Sequence, residues 1–388
     1  MPTYARRVSS FGTTIFTEIN NLARQHNAVN LGQGMPDFDG PQEAIEAAVE
    51  ALRSGTANQY APGPGVMSLK QGIASHAHAF YNIEVDPADN VLVTPGGTEA
   101  IFCSIMGLVD PGDEVIVIEP FFDSYVPGIL MAGATPVYVP MRPPDWTIDP
   151  DELRAAFGAK TRAIIMNTPH NPTGRVLTYD ELKLIADLCQ QFDVTVISDE
   201  VYEHLVYDQN RHIPIASLPG MFERTVTIGS AGKTFGMTGW KVGWVWGPPE
   251  LITGAWRAHQ FTTFATNHPA QRAVAQAFTL GSEYYEEYQT LYVHKRDLMM
   301  QALNAAGLTS IMPQGTYFVM ADFSEVFNGD DVAFTKHLIT EIGVACIPPS
   351  AFFSAEHKSL AQNHVRFAFC KSDDTLKAAA ERMAKLKG

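Results

Sequence analysis

Five short runs of β-branched and aliphatic residues punctuate the first two thirds of the chain: Asn90–Thr94, Glu114–Ile118, Arg162–Asn167, Asp193–Asp199 and Thr225–Ile228. They lack the alternation of a half-solvated strand, so they read as strands buried on both faces. Between them lie segments with helical spacing. Thr178-Tyr179-Asp180-Glu181 opens one as a capping box, and Leu182, Leu184, Ile185 and Leu188 supply its apolar face. Strands alternating with helices from about residue 46 to 285 predict an α/β domain on a mostly parallel sheet.

The pattern changes on either side. Residues 1–45 form a mixed arm with a short helix striped by Ile19, Leu22 and Ala23. After residue 286 the spacing predicts a long helix from Glu287 to Ala306, strands near Phe318–Phe323 and Val365–Phe369, and helices over Asp331–Gly343 and Asp374–Lys387. This is the signature of a smaller α+β unit.

The strand ends carry the chemistry. In an open α/β sheet, ligands bind beyond the carboxyl ends of the strands. Thr225–Ile228 breaks into Gly229-Ser230-Ala231-Gly232 and delivers Lys233. An amine held away from water loses part of its preference for the charged form and can attack a carbonyl, as lysines anchoring pyridoxal phosphate (PLP) do. Such a cofactor needs a carboxylate for its ring nitrogen, a donor for its ring oxygen and a cradle for its phosphate. Asp199 ends one strand, with Tyr202 three residues on. Asn171 sits in the Pro-rich loop after another. Pro95-Gly96-Gly97-Thr98 turns a strand into a helix amino terminus, a ready anion site to which Ser230 and Lys241 add a hydroxyl and a charge. Phe122 follows a further strand and offers a ring to stack on the cofactor.

These residues bring a resemblance into view. Asn171-Pro172-Thr173-Gly174, Asp199-Glu200-Val201-Tyr202, Ser230-Ala231-Gly232-Lys233 and Gly239-Trp240-Lys241-Val242-Gly243 resemble the class I/II aminotransferases of PLP fold type I. Asn30–Phe38, Asn58–Pro62 and Glu119–Asp123 are most similar to the methionine and kynurenine–oxoglutarate aminotransferase branch. The likeness runs from about Thr13 to the carboxyl end.

The resemblance implies a large domain (46–285) with a mostly parallel seven-stranded sheet, and a small domain made of 1–45 and 286–388. It implies that Lys233 is the Schiff-base lysine and proton shuttle and that Asp199 pairs with the ring nitrogen. Asn171 and Tyr202 would bond the ring oxygen. Gly97, Thr98, Ser230 and Lys241 would hold the phosphate, with Tyr60 reaching in from a partner subunit of a homodimer. Arg366 would clamp the substrate carboxylate with help from Asn167 and the Gly34 backbone. Phe16, Tyr60, Phe122 and a partner's Phe264 would line the side-chain pocket. Two departures stand out: Lys241 replaces the arginine of many relatives, and Ala265 stands where the kynurenine enzymes place histidine.

Alternative readings on the same residues are a cysteine-conjugate β-lyase and, remotely, a P-loop NTPase. The latter needs a glycine at position 227, which is Thr227. The balance of 27 basic against 42 acidic residues, net −15, argues against nucleic acid and anionic membrane as partners. Four scattered cysteines form no metal or redox motif. No apolar run is long enough for a signal core or membrane span. A soluble enzyme in a reducing cytoplasm is the expected setting.

Overall fold

The computed structural model describes residues 4–387. The chain opens with α1 (Ile15–Gln25), β1 (Val29–Asn30), α2 (Gln42–Arg53) and α3 (Met67–Tyr81). There follow β2 (Val91–Thr94), α4 (Gly97–Leu108), β3 (Glu114–Glu119), α5 (Tyr125–Ala132), β4 (Thr135–Arg142), β5 (Thr147–Ile148), α6 (Pro150–Ala156), β6 (Thr161–Asn167), α7 (Tyr179–Phe192) and β7 (Thr195–Asp199). Then come β8 (Thr225–Ser230), the single turn α8 (Ala231–Thr234), β9 (Gly243–Trp246), α9 (Pro249–Thr262), α10 (His268–Ala277) and α11 (Ser282–Ala305). The carboxyl third adds β10 (Thr309–Ser310), β11 (Phe318–Asp322), α12 (Asp331–His337), β12 (Val344–Ala345), β13 (His364–Ala368) and α13 (Asp373–Met383).

The main sheet has the order β2-β9-β8-β7-β6-β3-β4-β5. The five predicted runs are all strands in it, four of them in the parallel core. Two features go beyond the expectation. The two-residue β5 adds an eighth, antiparallel edge strand to the expected seven. β9 runs antiparallel to both β2 and β8. The inner strands are buried along nearly their whole length, because helices cover both faces. α7 begins with the predicted capping box, in which Thr178 Oγ1 accepts from Glu181 N while Glu181 accepts from Thr178 N.

The carboxyl third carries an antiparallel sheet, β10-β11-β13. β1 pairs in parallel with β12, knitting the amino-terminal arm to this region. Along α1, Ile19 and Ala23 are buried and Leu22 packs partly against the same cluster. α11 starts five residues before the predicted Glu287. The helix expected over Asp331–Gly343 is α12 followed by a wider π turn, Leu338–Ile342, ended by Gly343 at φ 82°. α13 likewise gives way to a 3₁₀ turn at Ala384–Lys387.

Candidate active site

A cavity of about 320 Å³ opens where β6, β7 and β8 end, floored by the start of α4 and closed on one side by residues 33–35. Gly34, Gly97, Thr98, Phe122, Asn167, Asn171, Asp199, Tyr202, Ser230, Lys233 and Lys241 all line it. Residues predicted from five separate strand ends therefore meet in one place.

Lys233 projects from α8, immediately after β8. Burial lowers its pKa from 10.5 to about 8, with Cys370 and Asp199 opposing and Arg366 and Lys241 assisting. Its Nζ donates to Tyr317 Oη at 2.7 Å and to the Gly34 carbonyl at 3.3 Å. Asp199 at the end of β7 is fully enclosed, and burial raises its pKa from 3.8 to about 6. Tyr125 offsets part of that rise by donating to Asp199 Oδ2 at 2.6 Å.

The anion site follows from close backbone packing. Gly96 precedes α4 at φ 86° and offers no side-chain cap, so the first N–H groups of a twelve-residue helix remain available. A methyl group on Gly243 of β9 would lie 2.5 Å from the Gly96 carbonyl carbon, so glycine is required for the strand to pass so near. Lys241, itself in the left-handed region at φ 54°, brings its Nζ to the same turn: a methyl on Gly96 would sit 3.1 Å from it. Ser230 Oγ accepts from Gly232 N at 3.3 Å.

Arg366 lies behind the cavity wall. Its Nη1 donates to Asn171 Oδ1 at 2.9 Å and its Nη2 to the Gly32 carbonyl at 2.7 Å, while its buried Nε has no partner among the described residues. Phe318, Phe16 and Phe352 surround the guanidinium with ring centroids at 4.1, 5.3 and 5.3 Å. Burial lowers its pKa from 12.5 to about 10, which leaves it a cation at neutral pH. With its Oδ1 engaged by Arg366, Asn171 keeps its NH₂ for a cavity ligand. Asn167 is a brace: its Nδ2 donates to the Asp199 carbonyl at 2.8 Å and its Oδ1 accepts from Asn171 N at 2.7 Å.

Tyr60 and Phe264 stand outside this cavity. They pack edge to face at 5.3 Å on the surface, 83% and 51% exposed, near Phe261 at 88%. Tyr317 and Tyr125 went unseen in the sequence, as did Cys370. Each stands in an apolar or aromatic setting that reads as core, and only the fold shows what its polar atom meets. The P-loop reading loses its basis, because the uncapped helix start is at Gly96–Thr98 whereas Gly232–Thr234 lie within the single turn of α8.

These residues fit pyridoxal phosphate. A buried lysine of lowered pKa, a buried carboxylate in need of a cation and an open helix terminus beside a second lysine converge on one cavity.

Comparison with known proteins agrees. Residues 26–383 match the family Aminotransferase class I and II. A kynurenine–oxoglutarate transaminase of Dictyostelium discoideum is 41% identical over 99% of this chain and 96% of its own. A solved N-succinyldiaminopimelate aminotransferase from Mycobacterium tuberculosis superposes with a TM-score of 0.95 at 44% identity, covering 99% of this chain and 100% of that one. YbdL from Escherichia coli, whose crystal structure and reactivity identify a methionine aminotransferase function, gives 0.95 at 39% identity over 99% of this chain and 100% of that one. With a matching cofactor cradle and relatives alike along their whole length, this chain belongs to the class I and II aminotransferases, enzymes that depend on pyridoxal phosphate.

Proposed function

We propose that this aminotransferase takes its amino group from an apolar or aromatic L-amino acid, with methionine, phenylalanine and tyrosine ahead of kynurenine and glutamine, and passes it to a 2-oxo acid by ping-pong kinetics. The carrying observation is the cavity's supply of charge. Its lining cations are Lys233 and Lys241, each with a role toward the cofactor, and among the described residues no arginine lines it. A second substrate carboxylate therefore has no counter-charge, while Met35, Ile101, Phe122, Val201 and Val242 offer apolar contact.

Each residue has a task. Arg366 binds the α-carboxylate with the fork geometry of a guanidinium, exchanging its present partners for it. Asp199 holds a proton on the cofactor's ring nitrogen, and Asn171 and Tyr202 orient the ring oxygen. Gly97, Thr98, Ser230 and Lys241 hold the phosphate, and Phe122 stacks on the ring. Once bound, pyridoxal phosphate supplies the electron sink that accepts the charge left when Cα loses its proton. Lys233, neutral for a useful fraction of the time at pH near 8, takes that proton and returns it. Residues 46–285 act as the large domain, and 1–45 with 286–388 as the small one. Carboxylate binding at Arg366 draws the two together and excludes water. Tyr60 and Phe264 complete the site across a homodimer.

A donor panel tests this reading. Methionine and phenylalanine are expected to exceed aspartate by at least about tenfold in kcat/KM, since one unpaired buried charge costs more than a mismatched methylene. The panel includes N-succinyldiaminopimelate, named for the mycobacterial relative, and a cysteine conjugate assayed for pyruvate. Leadership by aspartate or by the tricarboxylate N-succinyldiaminopimelate, or pyruvate release outpacing transamination, overturns the assignment.

A further inference from the structure

The direction of the Lys233 amine is fixed by two acceptors that also bind each other. Nζ donates to Tyr317 Oη at 2.7 Å and to Gly34 O at 3.3 Å, and Tyr317 Oη donates its single proton to Gly34 O at 2.8 Å. With that proton committed to a carbonyl, the phenol oxygen presents lone pairs to the amine. Tyr317 is wholly enclosed, and burial raises its pKa well above 10, so it remains a neutral phenol throughout the working pH range.

The ring has little freedom. Tyr202 meets it edge-on at 5.3 Å, Tyr292 stacks at 5.8 Å and Phe318 lies at 4.8 Å. The preceding Thr316 is in the left-handed region at φ 61°, where a β-branched residue persists only if its surroundings hold it. Those surroundings are present: Thr316 N donates to Leu205 O at 2.8 Å, Thr316 Oγ1 accepts from Phe318 N at 3.0 Å, and Tyr207 Oη donates to Thr316 O.

A tetrahedral amine has three directions besides its bond to carbon. Two N–H bonds point at Tyr317 Oη and Gly34 O, and the third direction opens on the cavity. We infer that Tyr317 is a positioning residue for the proton transfer: it spends one N–H of the freed Lys233 so that the lone pair faces the substrate Cα. Proton transfer depends steeply on such alignment. This deepens the aminotransferase reading and rests on it. Tyr317 acts through Lys233 and takes no proton itself.

An ordinary core tyrosine would give a different response to removal of one oxygen. The groups facing Lys233 are Asp199 and Cys370, which favour its charged form, Arg366 and Lys241, which oppose it, and the neutral Tyr202 and Tyr317. A hydrogen bond to an ammonium is stronger than one to an amine. Loss of the Tyr317 oxygen therefore lowers the Lys233 pKa below its present value.

The first measurement is made on the cofactor-free protein. The rate of Lys233 labelling by reductive methylation is followed against pH by peptide mass spectrometry. In Tyr317→Phe the midpoint is expected to fall by about one pH unit. Tyr317→3-fluorotyrosine, which keeps the shape and weakens the oxygen as an acceptor, is expected to shift it the same way by less. In the holoenzyme, Tyr317→Phe is expected to slow a single turnover of methionine by roughly 10- to 100-fold, within the range of proton-transfer catalysis. KM should change little, and the isotope effect with Cα-deuterated methionine should rise. An unmoved labelling midpoint, or an unchanged isotope effect at normal cofactor content, overturns the inference. Lys233→Ala separates the levels: if it still transaminates, the functional reading itself fails, whereas a dead Lys233→Ala beside an unaffected Tyr317→Phe removes Tyr317 alone.

Discussion

Asp199 is a liability to the empty protein. Its pKa of about 6 against 3.8 in an unstructured chain means that, between those values, the folded state holds a proton the unfolded state has lost. The carboxyl's effect on stability is neutral below about pH 4, grows unfavourable as pH rises from 4 to 6 and is constant above 6. At neutral pH the penalty is on the order of 3 kcal/mol. In the proposed role of Asp199, a cationic ring nitrogen would offset it. The rise in Tm on adding pyridoxal phosphate should therefore be larger at pH 7.5 than at pH 5.5, and Asp199→Asn should flatten the difference; melts of the apo- and holoenzyme at both pH values check this. Tyr125 donates to the ionised form, so Tyr125→Phe should move the acidic limb of the kcat profile to higher pH. A pH-rate curve superposable on that of the parent enzyme would refute that role. Lys233 and Asp199 were legible in the sequence because each ends an apolar run, where a charge stands out. Tyr125 and Tyr317 were not, because their partners lie 74 and 84 residues away and an aromatic in apolar company looks like packing.

Among elements, the junction of β9 with the start of α4 shapes the proposed phosphate site. Gly243→Ala places a methyl against the Gly96 backbone, where nothing flexible can yield. It is expected to cost roughly 1–3 kcal/mol in stability, as overpacking does. It should also weaken cofactor affinity at least several-fold, read by fluorescence titration. Thr178→Ala provides a control: loss of the α7 cap should cost about 1 kcal/mol and leave kcat/KM unchanged. The five buried runs, the capping box and the change of pattern near residue 286 could all be read from spacing alone. The antiparallel direction of β9 could not, because a strand buried on both faces has the same composition whichever way it runs. The π turn after α12 was equally hidden, since an apolar stripe continues through it.

For the whole molecule, the exposed pair Tyr60 and Phe264, with exposed Phe261 three residues before Phe264 in the chain, is a surface feature in need of cover. If a second copy covers it, light scattering should give twice the 42.5 kDa chain mass. Phe261→Glu should shift that mass toward the monomer and reduce activity in parallel; a fully active monomer would count against a shared site. Among the described residues no helix is long and apolar enough to cross a membrane.

β1 pairs with β12, and Gly32 accepts from Arg366 across 334 positions of sequence. At roughly 5–20 residues per second, a ribosome needs on the order of 20 to 70 seconds to make that span. Lys233 precedes Arg366 by 133 positions, so for about two fifths of that span the lysine has been made and the buried arginine has not. The Gly32–Arg366 contact therefore forms only once β13 exists and reaches back to the amino-terminal arm.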